Sequence, residues 1–320
     1  MSTSSSSSRK DHLDGLAILV LMVCCFSWGF QQITIKWAVA DISPIMQAGL
    51  RSAFATLVIA GWMLLRRKPI FGRDGTLKAG LLAGALFALE FALLYASLEL
   101  TSASRAVIFL YTSPLFVALG AHFLIAGERL RLLQGLGLLC AFAGLAVTFG
   151  ESLTLPDERM LIGDALAIAA AIAWAATTLV VRGSTLTTIS ASKVLLYQLA
   201  VSAVVLFPLS AAFGEPGIIR ITESAVLILI YQAVGVAGIS YIIWFWMLKT
   251  YPTAKLTSFG FLTPLFGVIS GALILDEPLT PALLSGLVLV ACGIWLVNKK
   301  TRAERAQLKA QKAREGSGAS

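Results

Sequence analysis

Runs of about 20 apolar residues, parted by short gaps that carry charge, Pro and Gly, recur from Gly15 to Asn298. Such repetition leaves few folds open. Hydrophobic residues make up 58% of the 320-residue chain and charged residues only 13%, against about 25% charged in a soluble domain. Too little polar surface is left to face water. In lipid the pattern is satisfied, because a helix bonds its own backbone groups internally. The expected fold class is therefore all-α integral membrane. Ten spans are expected, at about 15–37, 44–65, 77–98, 103–125, 130–149, 162–182, 190–213, 222–248, 254–275 and 279–298. The first follows a Ser-rich start and Arg9-Lys10. It is longer than the apolar core of a signal peptide and contains Trp28, Gln31 and Gln32, so it is read as a retained span.

An even number of spans puts both termini on one side, and the distribution of basic residues says which. With the N-terminus inside, the cytoplasmic segments hold Arg66, Arg67, Lys68, Arg129, Arg131, Lys249 and the basic tail among about 20 cations. The other side holds Lys36, Arg51, Arg105, Arg159 and Arg220. Both termini are predicted cytoplasmic, in a multi-pass protein of the cell (inner) membrane. The net charge of +8 thus lies in loops and tail, an arrangement that speaks for the bilayer as partner and against nucleic acid. Cys24, Cys25, Cys140 and Cys292 lie inside apolar runs, and His12 and His122 make no metal motif. No disulfide framework, metal site or cofactor is expected.

The two halves of the chain resemble each other. Tyr111-Thr112-Ser113-Pro114-Leu115-Phe116 falls over Phe261-Leu262-Thr263-Pro264-Leu265-Phe266, and Gly127-Glu128-Arg129-Leu130 over Asp276-Glu277-Pro278-Leu279. Gly137 and Gly144 fall over Gly286 and Gly293, Trp28 over Trp174, and Lys36 over Arg182. Five spans per half is an odd number, so the second half enters the membrane inverted relative to the first. Inverted repeats build many secondary carriers, with the substrate site at the repeat interface near the midplane. The predicted organisation is a cytoplasmic N-terminal tail (1–14), a first five-helix repeat (15–149), an external linker (150–161), a second repeat (162–298) and a basic cytoplasmic tail (299–320), with the repeats around a central cavity.

Polar and aromatic residues inside spans are the candidate site. Glu90 lies mid-span, where a carboxylate is costly and faces the bundle interior. It reads either as a pocket acid that meets a substrate ammonium or a proton, or as a structural acid bonded to a neighbouring helix. Trp28 and Gln32 are four residues apart on one helix face, and Trp174 and Thr178 repeat the spacing. Tyr241 and Trp244, beside Ser240 and after Gly235 and Gly238, are further wall candidates, as is Tyr111; Tyr95, Tyr197, Gln198, Tyr231 and Gln232 carry less weight. Each also reads as a packing residue. Arg51 reads as a carboxylate contact or, with slightly more weight, as a side chain snorkelling to headgroups or locked in an ion pair. Pro114 and Pro264 interrupt spans four and nine at matched positions, as gating kinks or inherited static ones. The small residues of spans five and ten read as scaffold or subunit contact.

Tyr95 to Ser104 running into Thr112-Ser113-Pro114-Leu115, Gly127-Glu128-Arg129-Leu130, Pro44 with Arg51, Tyr251-Pro252-Thr253-Ala254 and Leu262-Thr263-Pro264-Leu265 together resemble the drug/metabolite transporter superfamily in its EamA-type branch. Within it the chain is most similar to the aromatic amino-acid exporters of the YddG type. The resemblance implies a basket of spans one to four and six to nine around a cavity, with spans five and ten outside. It implies a secondary transporter of small amphipathic metabolites working by alternating access, exporting aromatic or hydrophobic amino acids, or else other metabolites or drugs. No phosphate loop, dinucleotide fingerprint or nucleophile–base set is present in the sequence, so an enzyme is not expected. An intramembrane enzyme would need clustered acids or metal ligands at one depth, and a channel a continuous polar stripe on several helices.

Overall fold

The computed structural model describes residues 12–299, apart from 71, 73, 99, 102, 151–156 and 276–280. The expectations for most of both tails, for 151–156 and for Asp276-Glu277-Pro278-Leu279 lie outside those residues.

Helices form where the apolar runs stand. They are α1 (Gly15–Ala38), α2 (Pro44–Leu65), α3 (Leu77–Leu98), α4 (Ala103–Leu110), α5 (Ser113–Leu124), α6 (Leu132–Gly150), α7 (Glu158–Gly183) and α8 (Ala191–Ala212). Then come α9 (Glu223–Ile230), a π-helical stretch (Tyr231–Ser240), α10 (Tyr241–Thr250), α11 (Thr253–Thr257), a 3-10 turn (Ser258–Phe261), α12 (Leu262–Leu275) and α13 (Pro281–Asn298). Among the described residues there is no strand, only an isolated bridge between Ile42 and Ile218.

Local chemistry explains several boundaries. The Asp14 carboxylate accepts from Ala17 N at 2.9 Å and so starts α1. Asp157 accepts from Met160 N at 2.7 Å and starts α7 at Glu158, four residues before the 162 expected from hydropathy, because a cap overrides the loss of apolar character. Pro44 opens α2, where its missing N–H costs nothing. Pro114 and Pro264 each follow a break. α4 stops at Leu110 and α5 begins at Ser113; the 3-10 turn ends at Phe261 and α12 begins at Leu262. Each proline removes one backbone bond and crowds the preceding turn.

Among the described residues seven stretches are long and apolar enough to cross a bilayer: Gly15–Ile35, Pro44–Leu65, Leu77–Leu94, Arg105–Leu124, Glu158–Gly183, Ala191–Ala212 and Glu223–Thr250. Leu132–Thr148 and Leu284–Asn298 are shorter apolar helices. Burial is reversed relative to a water-soluble bundle. Leu132, Phe123 and Val204 are 82%, 74% and 74% exposed, while Ser52, Gln198 and Ser258 are fully enclosed. An apolar exterior over a polar interior is stable only against lipid. The chain is a multi-pass membrane protein.

α2 lies along α8, α3 along α7, α1 along α12 and α5 along α7. α6 and α13 pack on each other. A β-carbon at Gly137 would lie 2.7 Å from the Gly293 carbonyl oxygen, and one at Gly144 2.7 Å from that of Gly286. These glycines therefore seat one helix of the chain on another, and their small size is used within the molecule.

Two sets of polar contacts tie the ends of the bundle. At the end where α1 stops and α2 starts, Glu215 accepts from Ser43 Oγ (2.9 Å), Ile45 N (2.9 Å), Met46 N (3.0 Å) and Ser210 Oγ (2.7 Å). A carboxylate placed on the N-terminus of α2 is favoured by the helix dipole. Asp41 pairs there with Arg220 at 2.9 Å and accepts from Thr222, and Arg105 pairs with Asp164. At the opposite end Lys193 pairs with Asp74 at 2.6 Å, and hydrogen bonds from Lys193 and Thr76 hold the Asp74 carboxyl well below the usual carboxylate range.

Candidate functional site

A cavity of about 500 Å³ lies inside the bundle. Its walls come from α1 (Trp28, Gln31, Ile35), α2 (Ile45, Arg51), α3 (Phe87, Glu90, Phe91, Leu94), α4 and the turn after it (Leu110, Tyr111), α7 (Trp174, Thr177, Thr178), α8 (Gln198) and α10 (Tyr241, Trp244, Phe245), with Thr263 of α12. The length of the spans brings the middles of α1, α3 and α7 to one depth, so residues far apart in sequence share one space.

Much of the wall is aromatic. The Trp28 ring stands edge-on to Tyr241 (6.1 Å) and Trp244 (5.5 Å), Phe87 edge-on to Tyr241 (6.3 Å), and Tyr111 edge-on to Trp174 (5.6 Å). These edge-to-face pairs hold one another's rotamers. Trp28 Nε1 donates to Ser240 Oγ at 2.7 Å, and Ser240 Oγ donates to Val236 O at 2.6 Å. That second bond lies within the Tyr231–Ser240 π-helix, a geometry rare in proteins and frequent at functional sites.

Polar groups without a hydrogen-bond partner stand in the same wall: Gln31 Nε2, Arg51 Nε and Nη2, Glu90 Oε2, both side-chain ends of Gln198, and Thr263 Oγ1. Buried polar atoms are nearly always paired. Their concentration around one cavity marks it as a place built for a polar guest.

The cavity reaches one end of the bundle. Pro44, Ile45, Phe213 and Glu215 line it where α2 begins and α8 ends. At the other end the helices are tied to one another. Arg182 at the end of α7 pairs with Glu128 at 2.8 Å and donates to the Leu248 and Tyr251 carbonyls. Glu128 also accepts from Thr253 N (3.0 Å) and Thr253 Oγ1 (3.1 Å), and Tyr251 Oη donates to Asp14 at 3.1 Å. Lys249 donates to the Ile189 carbonyl. The α5–α6 loop, α7, α10 and α11 are joined there.

Of the candidates read from the sequence, Trp28, Glu90, Tyr111, Trp174, Thr178, Tyr241 and Trp244 line the cavity. Ser240 sits behind the wall and holds Trp28. The Gln32 side chain lies outside the described residues. Pro114 and Pro264 are the second residue of α5 and the third of α12, just after the helix breaks, and neither lines the cavity. Two residues carry more of the site than the sequence suggested. Arg51 is 3% exposed and turned inward, with its guanidinium 5.0 Å above the Phe91 ring, so it does not snorkel to headgroups. Gln198 is fully buried against the cavity.

Comparison with known proteins agrees with this picture of a membrane cavity. A model described as the EamA-like transporter family matches residues 15–150 and again 161–299. An uncharacterized transporter of Bacillus subtilis, YoaV, is 24% identical over 270 residues, covering 84% of this chain and 92% of its own length. A protein of Escherichia coli named "Probable amino-acid metabolite efflux pump" is 28% identical over 298 residues, covering 90% of this chain and 95% of its own. A solved crystal structure shares the fold with a TM-score of 0.77 at 20% identity, covering 89% of this chain and 96% of that one.

Proposed function

Because the chain belongs to the EamA-like transporter family, we propose that it is a secondary carrier that moves small amphipathic metabolites by alternating access and exports aromatic or hydrophobic amino acids, as YddG-type members of the branch do. The observation that carries this reading is the cavity itself. Aromatic side chains make its walls, unpaired polar groups are set among them, and it opens at one end of the bundle while buried ion pairs bar the other. A carrier needs that asymmetry, since a path open at both ends would conduct. The Escherichia coli relative's name points to the same solute class for that protein.

The proposed architecture is ten spans in two inverted repeats, 15–149 and 162–298, joined by an external linker at 150–161, with both termini in the cytoplasm of a cell whose inner membrane holds the protein. The α6–α13 contact supports the inversion. Gly137 meets Gly293 and Gly144 meets Gly286, whereas the repeat sets Gly137 over Gly286 and Gly144 over Gly293. Crosswise contact between repeat mates is what a two-fold axis through an interface produces. In this orientation the cavity faces outward and the Glu128–Arg182 end is cytoplasmic. Trp28, Gln32, Glu90, Tyr111, Trp174, Thr178, Ser240, Tyr241 and Trp244 are the proposed solute-contacting set, with Ser240 acting through Trp28, and Pro114 and Pro264 the proposed kinks about which α5 and α12 swing.

The test is flux. Proteoliposomes loaded with labelled phenylalanine or tryptophan are expected to exchange it well above empty vesicles. Flux equal to empty vesicles across a full amino-acid panel would overturn the substrate assignment.

A further inference from the structure

We propose that Arg51 and Glu90 form a clamp for a zwitterion, with Arg51 taking the carboxylate and Glu90 the ammonium; this rests on the carrier reading above and specifies the solute it accepts.

Three observations converge. Arg51 lines the cavity from α2, its guanidinium 5.0 Å above the ring of Phe91 on α3, the residue next to Glu90. α2 and α8 run in opposite directions, with Gly49 facing Leu206 and Phe207 and Ser52 touching Ser202 at 3.4 Å, so Gln198 stands at another depth and takes no part in the clamp. Next, the Arg51 side chain is more than nine-tenths buried, with Nε and Nη2 donating to nothing. A guanidinium with free N–H groups is the donor that a carboxylate fits, since the planar fork matches its two oxygens. Finally, Glu90, on α3, lines the same cavity with Oε2 unpaired, and no ion pair joins it to Arg51.

A buried cation and a buried acid that share a cavity without meeting are each costly alone. A zwitterion set between them satisfies both, and one unit of each charge leaves the site balanced. A simple amine or a simple acid satisfies one and leaves the other. The aromatic wall of Trp28, Trp174 and Tyr241 then takes the side chain. Selection by charge pattern is sharper than selection by apolar size, because a mismatched guest strands a buried polar group.

The experiment is labelled phenylalanine counterflow in proteoliposomes, competed by unlabelled phenylalanine, phenylalaninamide, 3-phenylpropionate or phenethylamine. All four share the ring and differ only in the charged groups. Wild-type protein is expected to prefer phenylalanine by about tenfold or more over each of the others. Arg51→Gln is expected to shrink the preference for phenylalanine over its amide, and Glu90→Gln the preference over 3-phenylpropionate. Arg51→Lys keeps the cation without the fork, and is expected to retain a reduced carboxylate preference if Arg51→Gln gives no folded protein. Counterflow in which the amide or the propionate competes as well as phenylalanine on wild type overturns the clamp and leaves the carrier standing. Unchanged preferences in all folded variants do the same. No phenylalanine counterflow by wild type overturns both the clamp and the amino-acid reading.

Discussion

Trp174 meets Tyr111 edge to face at 5.6 Å, and both line the cavity from opposite repeats. One ring is thus held by a partner and offers its free face to the interior. An edge-to-face pair is worth about 1 kcal/mol beyond its buried area, so removing it loosens the wall without emptying a core. Trp174→Ala is expected to lower phenylalanine flux several-fold while membrane insertion and monodispersity in detergent stay as in wild type; Trp174→Phe is expected to keep most of the flux. Equal flux in Trp174→Ala and wild type would remove Trp174 from the site. Ser240 illustrates the opposite case. Its mid-span place suggested a ligand contact, yet its hydroxyl is occupied by Trp28 Nε1 and Val236 O, so its influence on a solute runs through the position of the indole.

At the scale of elements, the closed end of the cavity depends on α7 being tied to the α5–α6 loop and to the start of α11. Glu128 and Arg182 are nearly buried, at 5% and 4% side-chain exposure, and each has further partners: Thr253 for Glu128, and the Leu248 and Tyr251 carbonyls for Arg182. Removing one member of such a pair strands the other's charge, at about 3 kcal/mol, whereas removing both strands neither. Arg182→Gln is therefore expected to lower the unfolding temperature in detergent more than Glu128→Gln/Arg182→Gln does. Additive losses in the double variant would mean the two side chains act independently. In the proposed carrier the same contacts stabilise the outward-facing arrangement and part when the cytoplasmic end opens. The Tyr231–Ser240 π-helix is the other element of note. It keeps Gly235 and Gly238 in a wall that packs against α1, α2 and α10, and hydropathy carries no sign of a wider helical turn.

At the scale of the whole molecule, the reading stands on opposite orientation of the two repeats. Cysteines placed at Gly72 and Glu158 in a background free of native cysteines are expected to react with impermeant maleimide from opposite faces of the membrane, the first from the cytoplasm and the second from outside. Labelling of both from one face would end the inverted arrangement and the assignment of the cavity mouth with it. The α1–α2 connection is pinned to the α8–α9 connection at the mouth by Glu215 and Asp41, so this end of α2 and α8 moves as a unit. In the proposed cycle the two repeats rock about that tie and about the glycine seat between α6 and α13.

From its residues alone the chain was committed to lipid, to helices at particular places, and to membership in a carrier family, because run length, charge spacing and the doubled Pro and Trp motifs are one-dimensional signals. Of the nine residues read from the sequence as solute contacts, seven line the cavity, since polar or aromatic side chains deep in a span have few uses other than facing inward. Which way Arg51 turns, that Gln198 meets the same cavity, and that Ser240 holds Trp28 were decided by packing. In a bilayer both faces of a helix are apolar, so the periodicity that marks the buried side of a soluble helix carries little information. Only the seating of α2 against α8 and of α1 against α12 and the π-helix picks the side on which a lone polar residue ends up.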